Sequence, residues 1–276
     1  MGEAVSIISS ASTEFNMEHR VPIAYSQNGA VGWIVLDRPD ALNSLDRESV
    51  LQFTERLEAW REDAGIRTIA VAANGRAFCA GADLKQAGQV PEPGQKDLLD
   101  LIVILFDMLR AYPKPVIAAV NGLAYAGGLE IVLACDIVIA AEGSRFADAH
   151  SNFGVFPGGG GAALLPRRIP ANVARYMLLT GDAISAADAH MYGLVNEVVP
   201  LEGLNARVQE LGEKLARKSP LVLSAMKRVA NEAADKSAAD ALRHELLENR
   251  NHGRSWDIQE GLSAFVEKRE PQFRGY

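Results

Sequence analysis

The sequence predicts an α/β fold followed by a helix-rich C-terminal part. Two observations support this prediction: short runs of small and branched apolar residues alternate with helical stretches through about residue 200, and helical periodicity alone continues beyond it. Strands buried on both faces have this apolar composition, and their alternation with helices is typical of a parallel sheet. We therefore divide the chain into a leader over 1–20, an α/β core over 21–200 and a helical region over 201–276.

The leader is rich in serine and lacks the apolar segment of a signal peptide, so we expect residues 1–20 to be disordered. Over the whole chain, 35 acidic residues outnumber 28 basic ones, and the net charge is −7. This charge argues against a nucleic-acid partner and against binding to an anionic membrane surface. No apolar run approaches the ~20 residues that a membrane-spanning helix needs.

The cysteines and histidines show no pattern of a disulfide framework or a metal site. Cys79 and Cys135 are isolated in apolar surroundings without CxxC spacing, which favours a reducing, cytoplasmic location. The five histidines have no metal-ligand spacing, so we expect no metal.

The elements of the predicted core follow in order along the chain. An Asn-Gly pair between two strand-like segments, 23–27 and 31–37, predicts a hairpin. Asp46 is a preferred N-cap residue, and the apolar residues after it recur at helical spacing as far as Trp60. Further buried strands are expected at 68–73, 115–120 and 136–140, further helices at 97–110 and 128–134, and loops at 74–85 and 146–161.

The C-terminal part shows helical periodicity almost throughout. Helices are expected over 171–180, over a short segment capped by Ser185, and over 202–218, 220–234, 238–250 and 257–269. These helices look amphipathic, and we expect their second apolar faces to pack in an oligomer interface.

Two turns rich in glycine and alanine, 76–84 and 121–130, follow buried strands. Small residues let a ligand approach the main chain closely, and N–H groups at a helix start are oriented to receive an anion. Two such turns on neighbouring strands would aim two N–H groups at one oxygen, as in an oxyanion hole. The alternative interpretation, equally supported by the residues, is that glycine and alanine here only allow tight turns or helix packing.

Glu130 and His150 are the candidate acid–base residues. Glu130 opens an otherwise apolar helix, where it either caps its own helix N-terminus or acts as a partly desolvated acid or base. His150 lies in a loop beside Asp148, where a histidine is either an ordinary surface residue or a proton carrier near neutral pH.

Several segments, in order over about residues 20–270, resemble the enoyl-CoA hydratase/isomerase (crotonase) superfamily. They include LDRPDALNSL, GRAFCAGADL, PKPVIAAVNG and AGGLE, and together they occupy 36–45, 75–84, 113–122, 126–130, 134–136, 146–158 and 264–269. The resemblance implies a crotonase-like spiral of ββα units with a C-terminal α-helical trimerisation region. It also implies a homotrimer or a dimer of trimers.

The resemblance further implies that the ligand is an acyl-CoA thioester, with no cofactor other than the coenzyme A of the substrate. At the positions the family uses, the backbone N–H groups of Ala82 and Gly127 would hold the thioester oxygen. The resemblance places Ala80, Asp83 and Leu84 along the adenine or pantetheine path. Phe265 and Lys268 match family positions that reach the bound coenzyme A, in some members from a neighbouring subunit.

The sequence departs from the family at the second acid–base position. Hydratases of the family usually present two glutamates; Glu130 matches the first, and the second falls on His150. An imidazole there could replace the carboxylate as the activator of water, since its ordinary pKa near 6.5 suits a base at neutral pH. We expect a lyase of the fatty acid metabolism type that hydrates a 2-enoyl-CoA to a 3-hydroxyacyl-CoA. The alternatives are isomerisation, C–C or thioester hydrolysis of another acyl-CoA, and non-catalytic acyl-CoA binding.

Overall fold

A computed structural model describes residues 21–276, so the prediction of a disordered leader over 1–20 lies outside the described residues. The described residues form ten strands in two sheets. The strands are β1 (Ile23–Asn28), β2 (Val31–Leu36), β3 (Thr68–Ala73), β4 (Ala77–Cys79), β5 (Val116–Val120), β6 (Leu123–Tyr125), β7 (Ile137–Ala141), β8 (Arg145–Ala147), β9 (Ile184–Ser185) and β10 (Glu197–Val199).

The same part of the chain forms eleven α-helices. They are α1 (Arg47–Arg61), α2 (Leu84–Ala87), α3 (Leu98–Arg110), α4 (Gly127–Ala134), α5 (Gly161–Arg168), α6 (Ala171–Thr180), α7 (Ala186–Met191), α8 (Leu204–Ala216), α9 (Pro220–Ala233), α10 (Ala238–His252) and α11 (Trp256–Glu267). Within residues 21–276, none of these helices is both long and apolar enough to cross a membrane.

The two sheets share consecutive strands of the chain. The larger sheet has the order β1-β2-β3-β5-β7-β10 and the smaller one the order β4-β6-β8-β9. Each of the pairs β3/β4, β5/β6 and β7/β8 places its first strand in the larger sheet and its second in the smaller, and helices follow. The strands run parallel from β2 to β10 and from β4 to β8. The α/β prediction and the ββα spiral implied by the resemblance are confirmed.

The larger sheet is buried on both faces, which explains its apolar strand sequences. One face packs against α1, α3 and α4, where Phe53 and Leu105 are fully buried. The other face packs against α8, which brings Val208 into the cluster that contains Trp33. The predicted cap is present too: Asp46 accepts a hydrogen bond of 2.8 Å from the N–H of Ser49 at the start of α1.

The loop predictions were partly wrong, because they contain short elements. Strand β4 and the start of α2 lie within the predicted loop 74–85, and β6 lies in the turn after β5. The predicted loop 146–161 begins inside β8 and contains a 3-10 turn over His150–Phe153. Strands of three residues are too short to show a periodic pattern, and α5, which begins with glycine and contains Pro166, lacks the usual helix-start signals.

Candidate active site

The turns after β4 and β6 lie against each other, and this contact brings the two candidate N–H donors together. A Cβ atom added to Gly127 would lie 3.2 Å from Cα of Gly81 and 3.4 Å from the nitrogen of Ala82. These distances are shorter than most Cβ contacts, so the absence of a side chain at Gly127 lets the two turns lie this close.

The backbone around Ala82 is fixed by a short bridge to Leu45. The N–H of Leu45 donates to the oxygen of Gly81 and the N–H of Asp83 donates to the oxygen of Leu45, both at 2.8 Å. Ala82 lies between these two bonds, and Gly127 is the first residue of α4, where an N–H has no partner within its own helix. Among the described residues, neither N–H donates to another protein group. Two unpaired donors this close can hold one oxyanion.

Ala126, which precedes α4, holds a strained backbone conformation. Its φ of 48° and ψ of −117° are unusual for any residue other than glycine. The strain is held in place from both sides, because the N–H of Ala126 donates to Ala147 and its oxygen accepts from Glu130, each at 3.0 Å. Strain of this kind costs about 1–3 kcal/mol and is often found at functional sites.

The carboxylate of Glu130 is buried, with 3% of the residue exposed. Its Oε1 accepts hydrogen bonds from the N–H of Gly159 at 2.8 Å and from that of Gly161 at 2.9 Å. Gly161 is the first residue of α5, so the carboxylate caps α5. One of the two sequence interpretations, in which Glu130 caps the start of its own helix, is therefore wrong. No described residue donates a hydrogen bond to Oε2, so this oxygen is available to accept a proton.

His150 forms a pair with a buried aspartate. Its Nδ1 lies 3.0 Å from Oδ1 of Asp148, and only 1% of Asp148 is exposed. Burial lowers the pKa of His150, but the hydrogen bond to Asp148 and the charges of Asp148 and Glu130 outweigh it and raise the pKa above its ordinary 6.5. The imidazole therefore carries a proton over a wider range of pH than a free histidine does.

The carboxylates of Asp148 and Glu130 converge at Gly161. A Cβ atom on Gly161 would lie 2.4 Å from Oδ2 of Asp148 and 3.4 Å from Oε1 of Glu130. Sequence reasoning singled out Glu130 and His150 but did not give Asp148, which the structure places between them, a part of its own in the site. The signals for it were its place two residues before His150 and the run of glycines over 158–161.

The residues expected near coenzyme A on the first turn surround Ala82. Ala80 is half-buried and donates its N–H to Leu42 at 3.0 Å, and Leu84 is 54% exposed at the start of α2. Asp83 caps α2 through the N–H of Lys85 and forms an ion pair of 3.4 Å with Arg38. These residues flank the Ala82 donor, and their place along the path of coenzyme A stays a prediction.

Phe265 and Lys268 are not connected to this site within one chain. Phe265 is 84% exposed on α11, and Lys268 ends that helix in the left-handed conformation. The hydrogen bonds of α11 in the described residues run to Ser219 and to the last residues of the chain, over 269–276. The structure brings together Ala82, Gly127, Glu130 and His150. The hydrogen bonds of α11 do not bring Phe265 or Lys268 to this group.

Two other kinds of chemistry find no support among the described residues. No group of three or more His, Cys, Asp or Glu side chains in residues 21–276 is placed to hold a metal ion. Burial raises the pKa of Cys79, which lies beside the turn of Ala82, to about 12, so this thiol stays protonated and is a poor nucleophile.

Comparison with known proteins gives a consistent result. A sequence model of the enoyl-CoA hydratase/isomerase family matches residues 26–276. The chain is 35% identical to a mitochondrial enoyl-CoA hydratase of Pongo abelii over 94% of this chain and 89% of the relative. It is 37% identical to a 1,2-epoxyphenylacetyl-CoA isomerase of Escherichia coli K12 over 88% of this chain and 94% of the relative. The crystal structure of an enoyl-CoA hydratase from Bacillus anthracis matches with a TM-score of 0.87 at 34% identity, over 92% of this chain and 100% of that one.

Proposed function

We propose, from the premise that this chain belongs to the enoyl-CoA hydratase/isomerase family, that it adds water to a 2-enoyl-CoA and forms a 3-hydroxyacyl-CoA. The family acts on acyl-CoA thioesters, and the chain is an enzyme of that family. One observation carries the choice of hydration: the carboxylates of Glu130 and Asp148 converge at Gly161, and His150 is bonded to Asp148. An acid and a base are thereby placed in the same site as two unpaired N–H donors.

The two N–H donors would stabilise the charge that develops on the thioester. Addition of hydroxide to the β-carbon moves the electron pair of the double bond towards the carbonyl and gives an enolate oxygen. The N–H groups of Ala82 and Gly127 are oriented before the reaction and lose little energy in reorganising. Donors of this kind are each worth ~3 kcal/mol of barrier reduction.

Glu130 and His150 would share the two protons of the reaction. The sequence interpretation made His150 the activator of water, but the structure favours the reverse assignment. Two N–H groups stabilise the negative charge of Glu130, whose Oε2 is left to accept a proton, whereas the raised pKa of His150 favours its protonated form.

The reaction transfers one proton to Glu130 and one proton from His150. Oε2 of Glu130 takes a proton from water as the oxygen bonds to the β-carbon, and the enolate takes a proton from Nε2 of His150 at the α-carbon. Proton exchange with solvent returns Glu130 to its carboxylate and His150 to its imidazolium. An enzyme of this kind needs no cofactor beyond the coenzyme A of its substrate, so dialysis against a chelator should leave turnover unchanged.

Double-bond isomerisation is the second candidate. One observation favours it: Oε2 of Glu130 has no donor among the described residues, and a single carboxylate can move a proton between two carbons of an enolate. The isomerase of E. coli among the relatives shows that the family includes proteins so named.

The deciding experiment is incubation with a panel of enoyl-CoA thioesters in water labelled with heavy oxygen, followed by mass spectrometry. Hydration places the label in the acyl chain. A moved double bond without label indicates isomerisation, label in a released acid indicates hydrolysis, and binding without conversion indicates a non-catalytic binder. Any of these last three results overturns the proposal.

Substitutions in the same assay test the two acid–base residues. Glu130→Gln and His150→Gln should each lower labelled product by ~10²-fold or more. The matched controls are Glu202→Gln on an exposed turn and His190→Gln, whose Nδ1 lies 2.9 Å from the oxygen of Val195. Undiminished labelled product in His150→Gln would exclude His150 as the acid and leave Glu130 as the only acid–base residue of the proposal.

The proposal includes an assembly and a location. We expect a trimer or a dimer of trimers in which Phe265 and Lys268 reach the coenzyme A bound by a neighbouring subunit, because both are exposed and unconnected to the site of their own chain. A monomer in light scattering at micromolar concentration contradicts the assembly. We expect the cytoplasm because both cysteines are buried free thiols, and imaging of a fluorescent fusion tests the location.

A further inference from the structure

Asp148 has a bonding pattern that needs an explanation. It is buried, with 1% of the residue exposed, and follows β8 directly, whose last residue accepts the N–H bond that holds Ala126. Its Oδ1 bonds to Nδ1 of His150, but Oδ2 is buried without a hydrogen-bond partner among the described residues. A buried carboxylate with so few donors is costly unless a positive charge lies beside it.

The only side chain in contact with Asp148 that can supply a positive charge is His150, within the part of the chain that the structure describes. The charged groups that act on the imidazole are Asp148, after β8, and Glu130, from α4. Helix α6 packs on the same turn, where Asn152 bonds to the oxygen of Gly181, and its Tyr176 is bonded to Asp182.

We propose that Asp148 is a positioning residue that acts through His150, holding Nδ1 as the protonated nitrogen, favouring the imidazolium, and leaving Nε2 for the substrate. The role of Asp148 in turnover rests on the proposed function. The effect of Asp148 on the imidazole is independent of that function. An imidazole has two nitrogens, and a hydrogen bond to one determines which tautomer is present. Asp148 touches the imidazole and not the site between Ala82 and Gly127, so it would change the acid and not the binding of the thioester.

The test is nitrogen and carbon NMR of the histidine side chains in the ligand-free protein, with the His150 signal assigned by its loss in His150→Gln. In the wild type, His150 should titrate above pH 6.5, and the neutral form should carry its proton on Nδ1. In Asp148→Asn, the charge is lost and the pKa of His150 should fall by about 1 unit or more. Asp257→Asn is the matched control, because Asp257 is equally buried but bonds to Ser219.

Turnover gives the second readout. If His150 is the acid, its loss of a proton forms the alkaline limb of the pH profile, and Asp148→Asn should move that limb to lower pH while KM changes little. A purely structural Asp148 would lower stability without moving either the titration or the limb.

The outcomes separate the two proposals. A wild-type His150 that titrates at or below pH 6.5, or a titration unmoved in Asp148→Asn, overturns the role of Asp148 even if the enzyme is a hydratase. The expected NMR shifts with no hydration of any enoyl-CoA overturn the proposed function and leave the Asp148–His150 pair standing. If Asp148→Asn does not fold, the wild-type titration and tautomer still decide the matter.

Discussion

Replacing Glu130 separates its role in the fold from its role in catalysis. Glu130→Gln keeps an oxygen in the place of Oε1, so the N–H groups of Gly159 and Gly161 keep their acceptor. Glu130→Ala removes that acceptor and leaves two buried donors without a partner. The two variants should therefore differ strongly in stability and little in activity.

The expected magnitudes follow from the two hydrogen bonds. A bond to a charged group is worth ~1 kcal/mol more than a neutral one, so Glu130→Gln should lower the free energy of unfolding by at most about 2 kcal/mol. Each unsatisfied buried N–H costs about 1–3 kcal/mol, so Glu130→Ala should lower it by about 2–6 kcal/mol. Both variants lose the carboxylate that accepts the proton of water, so turnover should fall by ~10²–10⁴-fold in each.

Urea unfolding monitored by circular dichroism gives the first quantity, and the loss of enoyl thioester absorbance gives the second. Glu202→Gln, on an exposed turn, serves as the control in both assays. Wild-type turnover in Glu130→Gln would refute the proton-accepting role. Equal stabilities of Glu130→Gln and Glu130→Ala would refute the contribution of the bonds to Gly159 and Gly161.

Three further predictions concern the donors and the histidine. Gly127→Pro removes one N–H donor and should lower turnover by at least ~10²-fold. Gly81→Ala should lower turnover and cost about 1–3 kcal/mol of stability, because the backbone there has a left-handed φ and strain of this kind carries that cost. Its φ is +105°, and the added methyl would lie 3.1 Å from the nitrogen of Gly127. Because Asp148 and Glu130 raise the pKa of His150, its stabilising effect is present below pH 6.5 and is lost as the pH rises through the raised value. The free energy of unfolding of the wild type should therefore exceed that of His150→Gln by more at about pH 6 than at about pH 9.

Each of these predictions has an outcome that contradicts it. Proline is tolerated at a first helical position, but the strained Ala126 before it makes an unchanged circular dichroism spectrum a condition of the Gly127→Pro test. A folded Gly127→Pro with full turnover excludes that donor. Gly81→Ala with wild-type stability contradicts the close approach of the two turns, and a stability difference for His150→Gln that grows with pH contradicts the sign of the pKa shift.

Local sequence determined the elements that carry a local signal. The Asn-Gly turn predicted the hairpin of β1 and β2, and it is present in register from Ile23 with Leu36 to Asn28 with Val31. Apolar runs predicted β3, β5 and β7, because strands buried on both faces need such residues. Asp46 predicted the start of α1, because its side chain satisfies an N–H that the helix cannot. The resemblance in several segments then identified the family.

The tertiary structure decided the smaller sheet and the partners in the site. Strands β4, β6 and β8 exist because each pairs with a neighbour from another turn of the spiral, and three residues alone show no pattern. Glu130 bonds to N–H groups 29 and 31 residues away, and the same glycine that receives it makes room for Asp148. Such contacts depend on how sheets and helices pack at long sequence separation, whereas periodicity and capping report only on residues that are neighbours along the chain.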